Sequence, residues 1–136
     1  MENIITHILL IEDDLDDQEI FLSALSGLHG LIACETLADG TEALNSLQSG
    51  RISPHIIFLD LKIEGINGFQ FMNQIKLNPK LRKIPIIILS DSDDPLDIEM
   101  SKIAGARKFI TKPATYKELA AVIASTIQTF TQVKSS

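Results

Sequence analysis

Five short apolar runs punctuate the chain, and between them apolar residues recur at three- and four-residue spacing. His7 to Ile11, Leu31 to Leu37, Ile56 to Leu59, Ile86 to Leu89 and Lys108 to Thr111 have the length of strands. The third and fourth runs carry no polar break, as expected of strands buried on both faces of a parallel sheet. The second is less apolar and suits a sheet edge. Helical spacing follows each run: Ile20, Phe21, Ala24, Leu25 and Leu28; Ala43, Leu44 and Leu47; Phe69, Met72 and Ile75; Leu96, Met100 and Ile103; and Leu119, Val122, Ile123, Ile127 and Phe130. These sets predict the buried faces of five helices. The first stops near Gly27 and Gly30, the third before Pro79 and the fourth at Gly105, while Asp39-Gly40-Thr41 opens the second and Thr115 the last.

Five strands alternating with five helices predict an α/β fold, a doubly wound parallel sheet with helices on both faces. The five-stranded version common at this size has the flavodoxin-like order 2-1-3-4-5. Its chain direction reverses between the first and third strands, and ligands bind at that switch point. Glu12-Asp13 and Asp60 end those two strands. Ser90 and Lys112 end the fourth and fifth and come out on the same rim. One domain spanning 1–136 is expected, with its core about 6–130 and Val133 to Ser136 a short flexible tail.

The composition narrows the chemistry. Lys and Arg number 12 against 18 Asp and Glu, a net charge of −6. That balance argues against binding a nucleic-acid backbone or an anionic membrane surface. The single cysteine, Cys34, excludes an internal disulfide and sits mid-strand, as a small core residue or a free thiol. His7, His29 and His55 are scattered without metal-ligand spacing. The N-terminus has no basic region and its apolar run is too short to span a bilayer, which predicts a cytoplasmic protein.

Three carboxylates at one crevice repel each other unless a cation or protons compensate them. A hard divalent ion resolves this, and Mg²⁺ (or Mn²⁺) suits few carboxylates completed by water and phosphate. An Asp carboxylate is also a competent phosphoryl acceptor, and Lys112 offers further neutralisation. Each residue has a plainer reading. Asp60 is equally a loop carboxylate or cap, Ser90 a loop cap, and Glu12 either a direct ligand or a group bonded to one. Asp14, Asp16 and Asp17 read as caps of the first helix.

The motifs ILLIEDD, IIFLDLKIEGINGF, IIILSDS and GARKFITKP, in this order at strand ends, resemble the receiver domain of two-component response regulators. The resemblance covers essentially the whole chain. It implies that Asp60 is the phosphoacceptor, that Glu12 and Asp13 are the acidic pair, and that the Lys62 backbone carbonyl is a further metal ligand. It implies Ser90 as the switch hydroxyl, Phe109 as the switch aromatic, Lys112 as the phosphate-contacting lysine, and a cis Lys112–Pro113 bond. A sensor histidine kinase or histidine phosphotransfer protein would donate the phosphoryl group. A separate output protein would dock on the surface of helix four, strand five and helix five, a surface the family also uses for homodimers. Because the last helix ends the chain, a stand-alone receiver is expected.

Two positions depart from the family pattern. Glu64 replaces the usual Pro, which predicts a looser loop. Lys62 replaces a small polar residue and leaves open whether its ammonium slows or speeds loss of the phosphoryl group. Lys62 also argues against an aspartyl-nucleophile phosphohydrolase of the haloacid dehalogenase type, which places a second Asp there. The acidic EDDLDD loop argues against an FMN module, which needs a phosphate-binding loop after strand one.

Overall fold

In the computed structural model, which describes residues 5–131 together with the backbone of 134–135, the central sheet is built of β1 (Ile5–Ile11), β3 (Leu31–Leu37), β4 (Ile56–Leu59), β5 (Ile86–Ser90) and β6 (Lys108–Thr111). Its order is β3-β1-β4-β5-β6, all parallel, which is the expected 2-1-3-4-5 arrangement counted over these strands. β4 and β5 are buried along their whole length, whereas β3 lies at the edge and is only partly covered. Two further strands, β2 (Leu28–His29) and β7 (Lys134–Ser135), pair antiparallel as a small ribbon. That corrects the expected flexible tail for Lys134 and Ser135, whose backbone is paired. Val133 and Ser136 lie outside the described residues.

Five helices cover the sheet: α1 (Leu15–Leu25), α2 (Gly40–Gln48), α3 (Gly68–Lys76), α4 (Pro95–Ile103) and α5 (Tyr116–Phe130). One face carries Phe21 and Ala24 of α1 and Leu119, Ile123 and Ile127 of α5 against Ile8, Leu10, Phe58 and Ile87. The other carries Ala43 and Leu47 of α2 and Phe71, Met72 and Ile75 of α3 against Leu9, Ile57, Leu59 and Ile88. Because all five strands run parallel, their C-terminal ends share one rim and their starts the other. Among the described residues no helix is long and apolar enough to cross a membrane.

α4 departs from expectation. Leu96, Met100 and Ile103 are 62%, 42% and 67% exposed, and Ser101 is the buried residue of the helix. The periodicity holds, but its phase is displaced by one residue. Asp97, Ser101 and Ala104 face inward, with Ser101 Oγ donating to the Asp97 carbonyl at 2.7 Å and Ser92 Oγ to Asp97 Oδ2 at 2.6 Å. Small inward residues let the helix approach the sheet, which leaves its large apolar side chains outside.

His7 and His55 also differ from their expected isolation. The His7 backbone N–H donates to His55 Nδ1 at 2.9 Å, and the rings are 5.7 Å apart. The pairing of Ile8 with Ile56 on neighbouring strands brings together residues 48 positions apart.

Cys34, half-buried against the α1/α5 face, behaves as a core residue. Burial pushes its thiol from 9.0 up to about 11, with the Glu35 charge adding to the rise and a Thr36 hydrogen bond opposing it. Because the folded state holds the proton more tightly, the stability this contributes is complete below pH 9 and is lost as pH rises through 11. Iodoacetamide should therefore alkylate the native chain at pH 8 roughly ten- to a hundredfold more slowly than the urea-unfolded chain. Equal rates in the two states would show Cys34 to be an open, reactive thiol.

Candidate functional site

β1 and β4 are neighbours in register, with Ile11 opposite Leu59, so Glu12 and Asp60 emerge level with each other. Glu12 is held at the rim by its N–H donating to the Leu37 carbonyl at 2.9 Å, and Asp60 by its N–H donating to the Ile11 carbonyl at 3.1 Å. Carboxylate oxygens of Glu12, Asp13 and Asp60 lie within 4.8 Å of one another. Glu12 and Asp60 are buried, at 3% and 9% exposure, while Asp13 faces solvent. Three clustered hard oxygen donors, one open to water, form a donor set that fits a divalent cation keeping part of its hydration.

Lys112 follows β6 and reaches across the rim. Its ammonium donates to Glu12 Oε1 at 2.8 Å and to Asp17 Oδ2 at 2.8 Å, with Asp60 Oδ2 at 3.5 Å. The side chain is only 8% exposed. Desolvation works against its charge, but the hydrogen bonds it donates to Asp17 and Glu12 outweigh that and hold the ammonium protonated well above the usual lysine range. Burial also pushes the Glu12 carboxyl up, to about 7, against the downward pull of Lys112. Loss of water is the main cause of that rise, and the nearby Asp60 charge adds to it.

The Lys112–Pro113 bond is trans, which corrects the expected cis bond. An X–Pro bond intrinsically prefers trans by about 0.5–1 kcal/mol. With trans geometry the ammonium already reaches all three acids, so the site's contacts place no demand on the minor isomer.

Ser90 ends β5, beside Asp60's strand, and is 1% exposed. Its Oγ accepts the Ser92 N–H at 3.2 Å, and its own O–H donates to none of the described residues. Phe109 lies in β6 opposite Ile88, half-buried against the α2/α3 face. Lys62 is exposed, and its N–H donates to Asp60 Oδ1 at 3.1 Å, orienting the carboxylate.

The loop carrying Lys62 is anchored where looseness was expected. Glu64 forms a bridge with Asp39, its carbonyl accepting the Gly40 N–H at 2.9 Å, and Thr41 Oγ1 accepts the Ile66 N–H at 3.3 Å. The two segments meet so closely that a Cβ at Gly40 would stand 2.5 Å from the Ile66 carbonyl oxygen. At Gly65, where φ is +76°, a Cβ would stand 2.6 Å from Asp39 Oδ1. A cavity of about 520 Å³ lined by His7, Cys34, Arg51 and His55 lies toward the opposite end of the sheet and contributes none of these groups.

Asp17 is the site residue that cap reasoning missed. The signal was its phase: Asp17, Phe21 and Ala24 fall on one stripe of α1, and the last two are buried. An acid on that stripe points toward the sheet end, while Asp14 caps the helix by accepting the Asp17 N–H at 3.0 Å.

A family profile described as the response regulator receiver domain matches residues 8–124. Protein PilG of Pseudomonas aeruginosa is 30% identical over 121 residues, covering 88% of each chain. The probable methanogenesis regulatory protein FilR2 of Methanothrix harundinacea is 29% identical over 116 residues, covering 82% of this chain and 75% of that one. Among solved structures, the phosphorylated cyanobacterial phytochrome response regulator RcpA superposes with a TM-score of 0.88 at 27% identity, covering 93% and 94% of the two chains. The Mn²⁺-bound form of response regulator Rcp1 superposes at 0.83 with 28% identity, covering 92% and 93%.

The interlock of α2 with the Asp60 loop makes a stability prediction. Gly40→Ala gains at most about 1 kcal/mol of helix propensity but forces a backbone oxygen to move, which costs about 1–3 kcal/mol. A net loss on the order of 1–2 kcal/mol should appear in urea melts, and a stabilised variant would show that the segments are not interlocked.

Proposed function

The chain belongs to the response regulator receiver family of two-component signalling, and from that premise we propose that it is a switch thrown by phosphorylation of Asp60. The observation that carries this is the convergence of Glu12, Asp13, Asp60 and the Lys112 ammonium at one sheet rim. Phosphoryl transfer asks of a protein mainly positioning and charge neutralisation, and these groups are of the right kinds.

In the proposed reaction an Asp60 oxygen attacks the phosphorus of a phosphohistidine on a sensor histidine kinase or histidine phosphotransfer protein. The new O–P bond forms as the N–P bond breaks, the electron pair returns to the imidazole, and no redox change occurs. Mg²⁺ (or Mn²⁺), held by Glu12, Asp13, Asp60 and the Lys62 backbone carbonyl, would neutralise charge on the transferring oxygens. Mn²⁺ in the related Rcp1 and the spare oxygens of this acidic cluster support that ion class. The Lys62 N–H keeps one Asp60 oxygen oriented, leaving the other beside Lys112.

Ser90 then donates its unused O–H to a phosphoryl oxygen, and Phe109 repacks with it. A population shift of the surface formed by α4, β6 and α5 follows. Leu96, Met100 and Ile103 on α4, with Tyr116 at 51% exposure on α5, supply an apolar face for an output protein or a second copy of the chain. A cytoplasmic kinase partner sets the cytoplasm as the place of action.

Incubation with acetyl phosphate and Mg²⁺ should add one phosphoryl group by intact mass, with acetate as leaving group. The adduct should be absent in Asp60→Asn and absent with chelator. An adduct that persists in Asp60→Asn would place the acceptor elsewhere.

A further inference from the structure

The three aspartates at the start of α1 have separated into different roles. Asp14 caps the helix, Asp16 is exposed to solvent, and Asp17 turns inward with its side chain 31% exposed. The ammonium of Lys112 has three hydrogens. Two are committed at 2.8 Å to Glu12 and Asp17, the distance of a full charge-assisted bond. Asp60 at 3.5 Å is left with the weakest share.

We infer that Asp17 is a positioning residue for phosphoryl transfer, holding the Lys112 ammonium back from Asp60 until an incoming phosphoryl group competes for it. The inference rests on the reading of Asp60 as acceptor. Helix-end electrostatics alone does not account for Asp17, since that favourable interaction is equally available to a solvent-facing acid such as Asp16. Of the two partners, Asp17 is the one able to yield. Glu12 is 3% exposed and would lose its ion pair without water to replace it, whereas Asp17 is open enough to be rehydrated. Gln18 strengthens the arrangement by donating from Nε2 to the Glu12 carbonyl at 2.6 Å, so the first turn of α1 is bound to the rim at two successive residues. Movement of Lys112 from Asp17 to a phosphoryl oxygen would then loosen α1 from the connection between β6 and α5. The modification would be felt at α1 as well as at α4.

The test is the rate of phosphoryl incorporation from acetyl phosphate with Mg²⁺, read by intact mass on the full chain. Asp17→Asn should incorporate roughly three- to fivefold faster than wild type, the scale of a partly exposed ion pair. Asp17→Glu should stay near the wild-type rate, because the competing charge is retained. In a Lys112→Met background Asp17→Asn should change nothing, whereas a role in helix-end electrostatics or folding would persist there. Equal rates for wild type, Asp17→Asn and Asp17→Glu overturn the inference, as does an undiminished gain in Lys112→Met. If Lys112→Met incorporates too little to rate, the wild-type, Asp17→Asn and Asp17→Glu rates decide alone. A wild-type chain that takes up no phosphoryl group overturns the Asp60 reading and this inference with it. A modified wild type matched by Asp17→Asn overturns the inference only.

Discussion

Carboxyl groups brought within 4.8 Å of each other at a sheet rim repel strongly. At an effective dielectric near 20 each such pair costs on the order of 3 kcal/mol, comparable with a sizeable part of a small domain's net stability. Two features make the arrangement tolerable. Lys112 reaches along the rim from the edge strand β6 and bonds two acids directly, and burial pushes Glu12 toward its protonated form. Neither feature removes the frustration. The site remains short of positive charge, which is the condition a divalent ion relieves.

The backbone supports this in a specific way. β4 and β5, buried along their whole length, fix the two strand ends that carry Asp60 and Ser90. The loop after Asp60 is exposed at Lys62, Glu64 and Gly65, so burial alone does not define it. Definition comes from α2, whose first residues hydrogen-bond to Glu64 and Ile66 across a gap only glycine can fill. The absent proline is thus compensated by a contact between segments more than twenty residues apart in the chain.

Much of this was legible in the residue pattern. Strand ends at Glu12, Asp60, Ser90 and Lys112 followed from where apolar runs stop, and the edge position of β3 followed from its weaker apolarity. What the pattern left out was information about phase and partner. Leu96, Met100 and Ile103 obey helical spacing, yet Asp97, Ser101 and Ala104 obey it too, and hydrophobicity favoured the wrong stripe. Asp17 was hidden by the general preference of acids for helix starts, although its spacing to Phe21 and Ala24 marked it as inward. His7 with His55 depends on strand register, which local sequence does not encode. The trans Lys112–Pro113 bond shows a family habit carried over where this chain's own geometry does not require it.

The inward stripe of α4 has a thermodynamic consequence. A helix seated through a serine, an alanine and a hydrogen-bonded aspartate takes little hydrocarbon out of water, so lifting or sliding it uncovers little. Its first turn is tied to the loop that follows Ser90 by the Ser92–Asp97 bond. A helix so lightly anchored, leading off from the acidic rim, can be tilted by forces far smaller than those that hold the core together.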